Sequence, residues 1–338
     1  MIARKNVLRQ SVGVMKTPMC YDIIADVHGR FDKLSALMER LGYRCDGDSF
    51  VPPPGRTALF LGDLIDTKPG HPYPGGVRSV LRAVKVLCDR GHAQVLMGNH
   101  ELNALYFHSR GPHGWLRVRG RGNIAQHQGT LDDFPDYDDP ASEWQQVWLP
   151  WMKRLPMALD FGDFRAVHAT WHEGMLQRIA GQSFESEDFF FAAVSKCNPE
   201  GEAVETLLKG VEIELPRGLE IADASGIMRP NLRVKWWELP GEISTYRDLA
   251  FHPDPAVPDV EVSAQHREQI PGYPADAPPV FFGHYLKSAA SPLKPERHNV
   301  ACLDHAAAKD GPLVAYRWQG ETHIKPEHYV VSSSHHVS

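Results

Sequence analysis

The first hundred residues alternate short apolar runs with longer segments whose apolar positions recur every three or four residues. "YDIIAD" (21–26) and "TALFLGD" (57–63) have the length and character of buried strands. "FDKLSALMERLGY" places Phe31, Leu34, Leu37, Met38 and Leu41 at helical spacing and stops at Gly42. "VRSVLRAVKVLCDRG" repeats the pattern with Val77, Val80, Leu81, Val84, Leu87 and Cys88 and stops at Gly91. "AQVLMGN" (93–99) supplies a third strand. This order predicts parallel strands joined by crossover helices, with carboxyl ends that open onto ligand sites.

Beyond residue 107 the pattern loosens. "RGPHGWLRVRGRGNIAQH" is basic and glycine-rich, and "LDDFPDYDDP" is acidic and turn-rich; both are expected to be solvated loops. "EWQQVWLPWMKRLP" predicts a short Trp-rich helix ended by Pro156, expected to face the core, with base stacking as the alternative. "MALDFGDFRAVHAT" predicts a β-hairpin around "FGDF". Residues from about 173 to 270 read as an insert or cap, bounded by proline-rich connections, after which "VFFGH", "NVACLDH" and "GPLVAYRW" supply three more strands. The expected organisation is a single domain over 18–338 containing that insert, preceded by an N-terminal extension over 1–17.

Composition narrows the class. A chain of 338 residues, 42% hydrophobic and 23% charged, can bury a substantial core. Its net charge of -6 supplies no overall basic field for nucleic acid. The five cysteines, Cys20, Cys45, Cys88, Cys197 and Cys302, are dispersed and form no CxxC pair, which fits reduced thiols. The start lacks an apolar run of signal-peptide length, and no apolar stretch approaches the roughly 20 residues that span a bilayer. A cytoplasmic protein without membrane contact is expected.

The strand ends carry the chemistry. The first ends in Asp26 and His28 ("ADVHGR"), the second in Asp63 and Asp66 ("GDLID"), the third in Asn99 and His100 ("GNHE"). Two later ones end in His168 ("AVHAT") and His284 ("FFGHY"). One such end is ordinarily a turn or cap. Five, all with oxygen and imidazole donors, match the preferences of hard and borderline divalent ions, and one carboxylate can bridge two of them.

Taken in order, "DVHG", "GDLID", "GNHE", "VHA" and "GH" resemble the calcineurin-like metallophosphoesterase superfamily, strongly over 21–110 and more loosely over 157–172 and 280–318. "GNHE" is most similar to the phosphoprotein phosphatase branch, which includes the bacterial symmetrical diadenosine tetraphosphate hydrolases. "NIAQHQGTL", "VHATW" and "CLDHAAAKDGPLVAYRW" resemble an uncharacterised bacterial group within it. The resemblance implies an α/β fold, a four-layer αββα sandwich with an inserted cap-like segment. It implies two divalent ions, Mn²⁺ foremost with Fe or Zn²⁺ as alternatives. Asp26 and His28 would hold the first ion, Asp63 would bridge, and Asn99, His168 and His284 would hold the second. His100 resembles the family's general acid, with Asp66 holding its imidazolium. Gly98 would permit the tight turn, and Glu101 is expected to be a first-turn charge of the next helix.

Departures matter as much. Relatives ending in GHxH give the first ion another His; here "GHYL" has Leu286 at that place, which leaves room for water. The branch usually continues its second motif Asp-Arg-Gly, whose Arg grips phosphate, whereas Asp66 is followed by Thr67 and Lys68. Substrate-binding residues are therefore not carried over. Lys68 and Arg30 are candidate replacements, each with a surface role as the alternative. Asp304 is a candidate support for His284, and His172 a spare ligand or loop residue. The expected activity is dimetal phosphohydrolysis of a small phosphorylated molecule such as a dinucleoside polyphosphate. The alternatives are a serine/threonine phosphoprotein phosphatase and a non-catalytic metal-binding interaction protein.

Overall fold

The computed structural model describes residues 20–216, 218–222, 228–252 and 255–332. The expected N-terminal extension, 1–17, lies outside the described residues. Two sheets dominate. The first has the strand order Tyr329–Val331, Val314–Trp318, Cys20–Ile24, Arg56–Phe60, Ala93–Val95. The last three are parallel to one another, as the strand-helix alternation predicts, and the first two are added antiparallel. The second sheet runs Val300–Cys302, Val280–Phe282, Arg165–Val167, Ala158–Asp160. Its last pair is the hairpin expected around "FGDF".

Aromatic rings seam the two sheets face to face. Phe164 lies 4.6 Å from Trp318 and 5.2 Å from Tyr21, and Phe281 lies 4.8 Å from Tyr316, centroid to centroid. Helices Phe31–Arg40 and Gly76–Asp89 pack together beside the first sheet, burying Leu34, Leu37, Val80, Leu81, Val84 and Leu87 as the spacing predicts. The segment 173–270 contributes helices Glu173–Arg178, Glu187–Ala192 and Pro199–Lys209. It reaches the second sheet directly: the Leu207 carbonyl accepts the amides of Ala169 and Thr170, and the Trp236 and Trp237 rings lie 5.2 and 5.4 Å from Phe282. The result is a mixed α/β sandwich with helices outside both sheets.

Trp144, Trp148 and Trp151 are buried, so the Trp-rich helix faces the core, as expected, and offers no stacking platform. The two charged runs, by contrast, are not simple loops. Arg110–Gly111 pairs with Gly114–Trp115, and Arg121–Asp133 is a 13-residue helix that buries His127, Thr130 and Leu131. Histidine and threonine make up most of that buried face, which is why hydropathy did not reveal it.

Candidate metal centre

Strand ends deliver the polar groups through strained turns. Among the described residues five non-glycine positions have positive φ, and four are His28, Asp63, Asp66 and His284, at 49°, 51°, 65° and 59°. Such conformations cost on the order of 1–3 kcal/mol each and persist where surrounding bonds over-determine them. Here the Asp63 carbonyl accepts the amides of Val27 and His28 at 3.0 and 2.8 Å, and the Leu64 carbonyl accepts that of Gly29 at 2.8 Å. The second and third loops touch backbone to backbone: a Cβ on Gly62 would stand 2.6 Å from the Gly98 nitrogen.

Glu101 does more than charge a helix start. It is fully buried, and its Oε2 accepts the amides of Asp63 (2.9 Å) and Gly98 (3.0 Å) while Oε1 accepts that of Leu64 (2.8 Å). Asp63 Oδ1 in turn accepts the His100 amide at 2.9 Å. The two loops are thus stapled in both directions.

Two donor clusters share Asp63. Ligand atoms of His28, Asp63 and His100 lie within 4.8 Å of one another, as do those of Asp63, His168 and His284. His28 Nδ1 faces the carbonyls of Ile65 and Asp66 at 3.2 and 3.1 Å, leaving Nε2 3.7 Å from Asp63 Oδ2. His168 Nδ1 donates to the Leu61 carbonyl at 2.7 Å, leaving Nε2 3.1 Å from Asn99 Oδ1 and 3.5 Å from Asp63 Oδ1. Carbonyl-anchored imidazoles of this kind present the other nitrogen as a lone pair for a metal. Asp26 falls in neither cluster of three; its Oδ2 accepts the His284 amide at 2.9 Å.

These residues fit divalent ions. Asp26 Oδ1 and His284 Nε2 are buried without any hydrogen-bond partner, which is costly for groups that no cation satisfies. Negative charge also accumulates. Burial, then Asp304, raises the Asp26 carboxyl well above the usual carboxylate range, and burial raises Asp304 to about 6. Burial alone would lower His168, yet Asp63 and then Asp26 lift it to about 10. Burial and the charge of Arg233 hold His284 well below its ordinary value.

Beside the clusters lies a hydrogen-bonded chain of side chains. His100 Nδ1 meets Asp66 Oδ2 at 2.7 Å, and Asp66 Oδ1 meets His127 Nδ1 at 2.6 Å and the Thr130 hydroxyl at 2.5 Å. His127 Nε2 lies 3.0 Å from His108 Nε2, and Gln126 Nε2 lies 3.4 Å from His100 Nε2. Burial opposes ionisation of Asp66, but His127 and His100 together hold it below the usual carboxylate range. Burial opposes a proton on His100, but Asp63 and Asp66 raise its affinity above the ordinary imidazole value.

The structure therefore brings Asp26, His28, Asp63, Asp66, Asn99, His100, His168 and His284 to one place. Arg30, Asp304 and His172 fall on the structural alternatives that the sequence also offered. Arg30 donates to Asp32 at 2.9 and 2.6 Å and to the Lys309 carbonyl, in keeping with a helix-start surface role. Asp304 Oδ1 accepts the Ala306 amide at 3.0 Å, and its charge acts on Asp26 rather than on His284. His172 precedes the Glu173–Arg178 helix and joins neither cluster. His127, Thr130, Gln126 and Arg233 were given no role from sequence. Of these, His127 stood inside the quoted "NIAQHQGTL", and a buried polar helix face was the signal to look for. Arg233 has a buried Nε without a partner and lies 5.5 Å from the Tyr285 ring centroid.

Comparison with known proteins adds an independent line. The calcineurin-like phosphoesterase family profile matches residues 21–194. The asymmetrical bis(5'-nucleosyl)-tetraphosphatase PrpE of Bacillus velezensis is 38% identical over 93 residues, 28% of this chain and 34% of that one. PrpE of Bacillus subtilis is 37% identical over 93 residues, 28% of this chain and 35% of that one. The match thus spans about a third of the length of those relatives. Among solved structures, a cold-active protein-tyrosine phosphatase of a psychrophilic Shewanella superposes with a TM-score of 0.46 and 15% identity, covering 94% of this chain and 81% of that one.

Proposed function

The chain belongs to the calcineurin-like phosphoesterase family, and on that premise we propose that it is a dimetal phosphohydrolase whose substrate is a dinucleoside polyphosphate or a similar small phosphorylated molecule. The observation that carries the reading is the pair of donor clusters sharing Asp63, one of which takes in His100, whose other ring nitrogen is braced by Asp66. Asp26, His28, Asp63, Asn99, His168 and His284 would hold two divalent ions, Mn²⁺ foremost, with Fe or Zn²⁺ acceptable to the same donors. When bound, such ions offset phosphate charge and make water acidic enough to attack at neutral pH.

The chain's own residues do the rest. His100, protonated and braced by Asp66 through Nδ1, gives its Nε2 proton to the departing oxygen. The neutral imidazole left behind keeps Nδ1–H on Asp66, so the ring does not turn away. The PrpE relatives, named as bis(5'-nucleosyl)-tetraphosphatases, support a tetraphosphate substrate. The protein acts in the cytoplasm as one catalytic domain.

The test is hydrolysis after chelator treatment, with and without Mn²⁺, of p-nitrophenyl phosphate, diadenosine tetraphosphate and a phosphopeptide. Metal-dependent turnover that disappears for every substrate in Asp63→Asn, and that in His100→Ala is lost for the phosphopeptide but falls much less for p-nitrophenyl phosphate, with the tetraphosphate preferred in the wild type, is the expected result. Preference for the phosphopeptide would make the chain a protein phosphatase. Metal binding without turnover of any substrate would overturn the reading.

A further inference from the structure

One residue beyond Asp66 a cavity of about 430 Å³ opens between the stretch "TKPGHPYPG" and the Arg121–Asp133 helix. That volume lies within the roughly 300–1,000 Å³ usual for small-molecule sites. Thr67 forms its inner edge, wedged so tightly that a Cβ on Gly29 would stand 3.0 Å from its Cγ2, and one on Gly129 3.0 Å from its nitrogen. The opposite walls are tied together. Asp133 accepts the amides of Gly75 and Arg78 at 2.6 and 3.1 Å, joining loop to helix. The Tyr73 ring packs against Gly76, and the Arg30 guanidinium lies 5.7 Å from its centroid. Three prolines restrict the loop backbone further. The cavity is preformed, with an aromatic and proline wall, and Ala125 and Gly129 leave its helical wall low.

Charge gives the cavity a direction. Lys68 lines the cavity two residues after Asp66, whose carboxylate meets His100 at 2.7 Å, so its charge lies at the end toward the candidate centre. At the other wall Asp132 Oδ1 accepts from Gln128 at 2.6 Å, which leaves Oδ2 as an acceptor. A ligand that is anionic at one end and flat, with hydroxyl donors, at the other matches this order. We propose that the cavity binds the nucleoside of the substrate's departing half, with Lys68 on the intervening phosphates, the base against Tyr73 and the prolines, and Asp132 on a ribose hydroxyl. The assignment rests on the phosphohydrolase reading of the adjacent centre. A lysine suits this place because a mobile point charge can follow a phosphate chain, where a forked arginine would fix one group.

Ala125 is exposed on its helix, so Ala125→Trp fills the cavity without disturbing the core. The readout is the ratio of kcat/KM for diadenosine tetraphosphate to that for p-nitrophenyl phosphate, which has no nucleoside. In Ala125→Trp and in Lys68→Met the ratio is expected to fall about ten-fold or more, the size of one lost pocket contact. An unchanged ratio in both variants overturns the assignment, as does wild-type enzyme that prefers p-nitrophenyl phosphate. Calorimetric binding of ADP provides an arm independent of turnover. Binding by the wild type that is lost in Ala125→Trp supports the subsite even if neither substrate is cleaved, in which case only the phosphohydrolase reading falls. ADP binding equal in both proteins overturns the subsite.

Discussion

The Glu101 carboxylate, by accepting the amides of Asp63, Leu64 and Gly98, sets the spacing between the second and third strand-end loops. Replacing it with glutamine turns one acceptor into a donor that faces buried N–H groups. Glu101→Gln is expected to destabilise the fold by about 1–3 kcal/mol, the usual cost of a buried unsatisfied group. Thermal unfolding checks this, and metal content should fall with it because Asp63 sits on the stapled loop. A second residue-scale expectation concerns His127. It reaches Asp66 from the face opposite His100, and with Thr130 it leaves the carboxylate one orientation. His127→Ala should therefore weaken proton donation by His100 while sparing Asp26, His28, Asp63, Asn99, His168 and His284. Turnover of an alkyl phosphate, whose leaving group needs a proton, is expected to drop roughly ten-fold or more. Turnover of p-nitrophenyl phosphate, which leaves as a stable phenolate, should drop much less. Equal losses for both substrates would contradict this role.

Among the elements, the Arg121–Asp133 helix carries most of what the sequence concealed. Its thirteen residues bury only His127, Thr130 and Leu131, so no apolar stripe announced it, and the basic and acidic runs around it read as loops. The strands and first two helices were legible for the opposite reason. Their inward positions are purely apolar at periods of two or near 3.6, and each helix has a glycine stop. The polar groups that the structure gathers were legible because they stand directly after those apolar runs. The partners that orient them were not, since His127 approaches Asp66 across 61 residues of sequence. Gly129 fixes how close the helix comes: a methyl there would meet the Thr67 side chain, with Thr67 N 3.0 Å away. Gly129→Ala is expected to push the Asp66 loop and the helix apart, lowering kcat while the metal content measured by atomic absorption stays that of the wild type.

Across the whole molecule, charge and topology act together. Asp26, Asp63 and Asp304 are buried near one another, and burial, then the charges of Asp304 and Asp63, raise the Asp26 carboxyl while His168 opposes the shift. Divalent ions at 100 times their dissociation constant would stabilise the fold by about 2.7 kcal/mol. Asp26→Asn removes one carboxylate, so this variant is expected to melt higher than the wild type when both are stripped with chelator, yet to show no metal-dependent turnover. A variant that melts lower than the metal-free wild type would show that the bond from Asp26 to the His284 amide outweighs the repulsion. The donors also come from both sheets. Asp26, His28, Asp63 and Asn99 end strands of the first, whereas His168 and His284 end strands of the second, and the bond from the His284 amide to Asp26 closes a loop of 258 residues. During synthesis on a ribosome, then, the early strands emerge with a half-built ion cradle long before its other half exists. In the proposed assignment the second ion would be gripped only once the late strands bring His168 and His284 to Asp63, so a nascent or truncated chain would lack a complete centre.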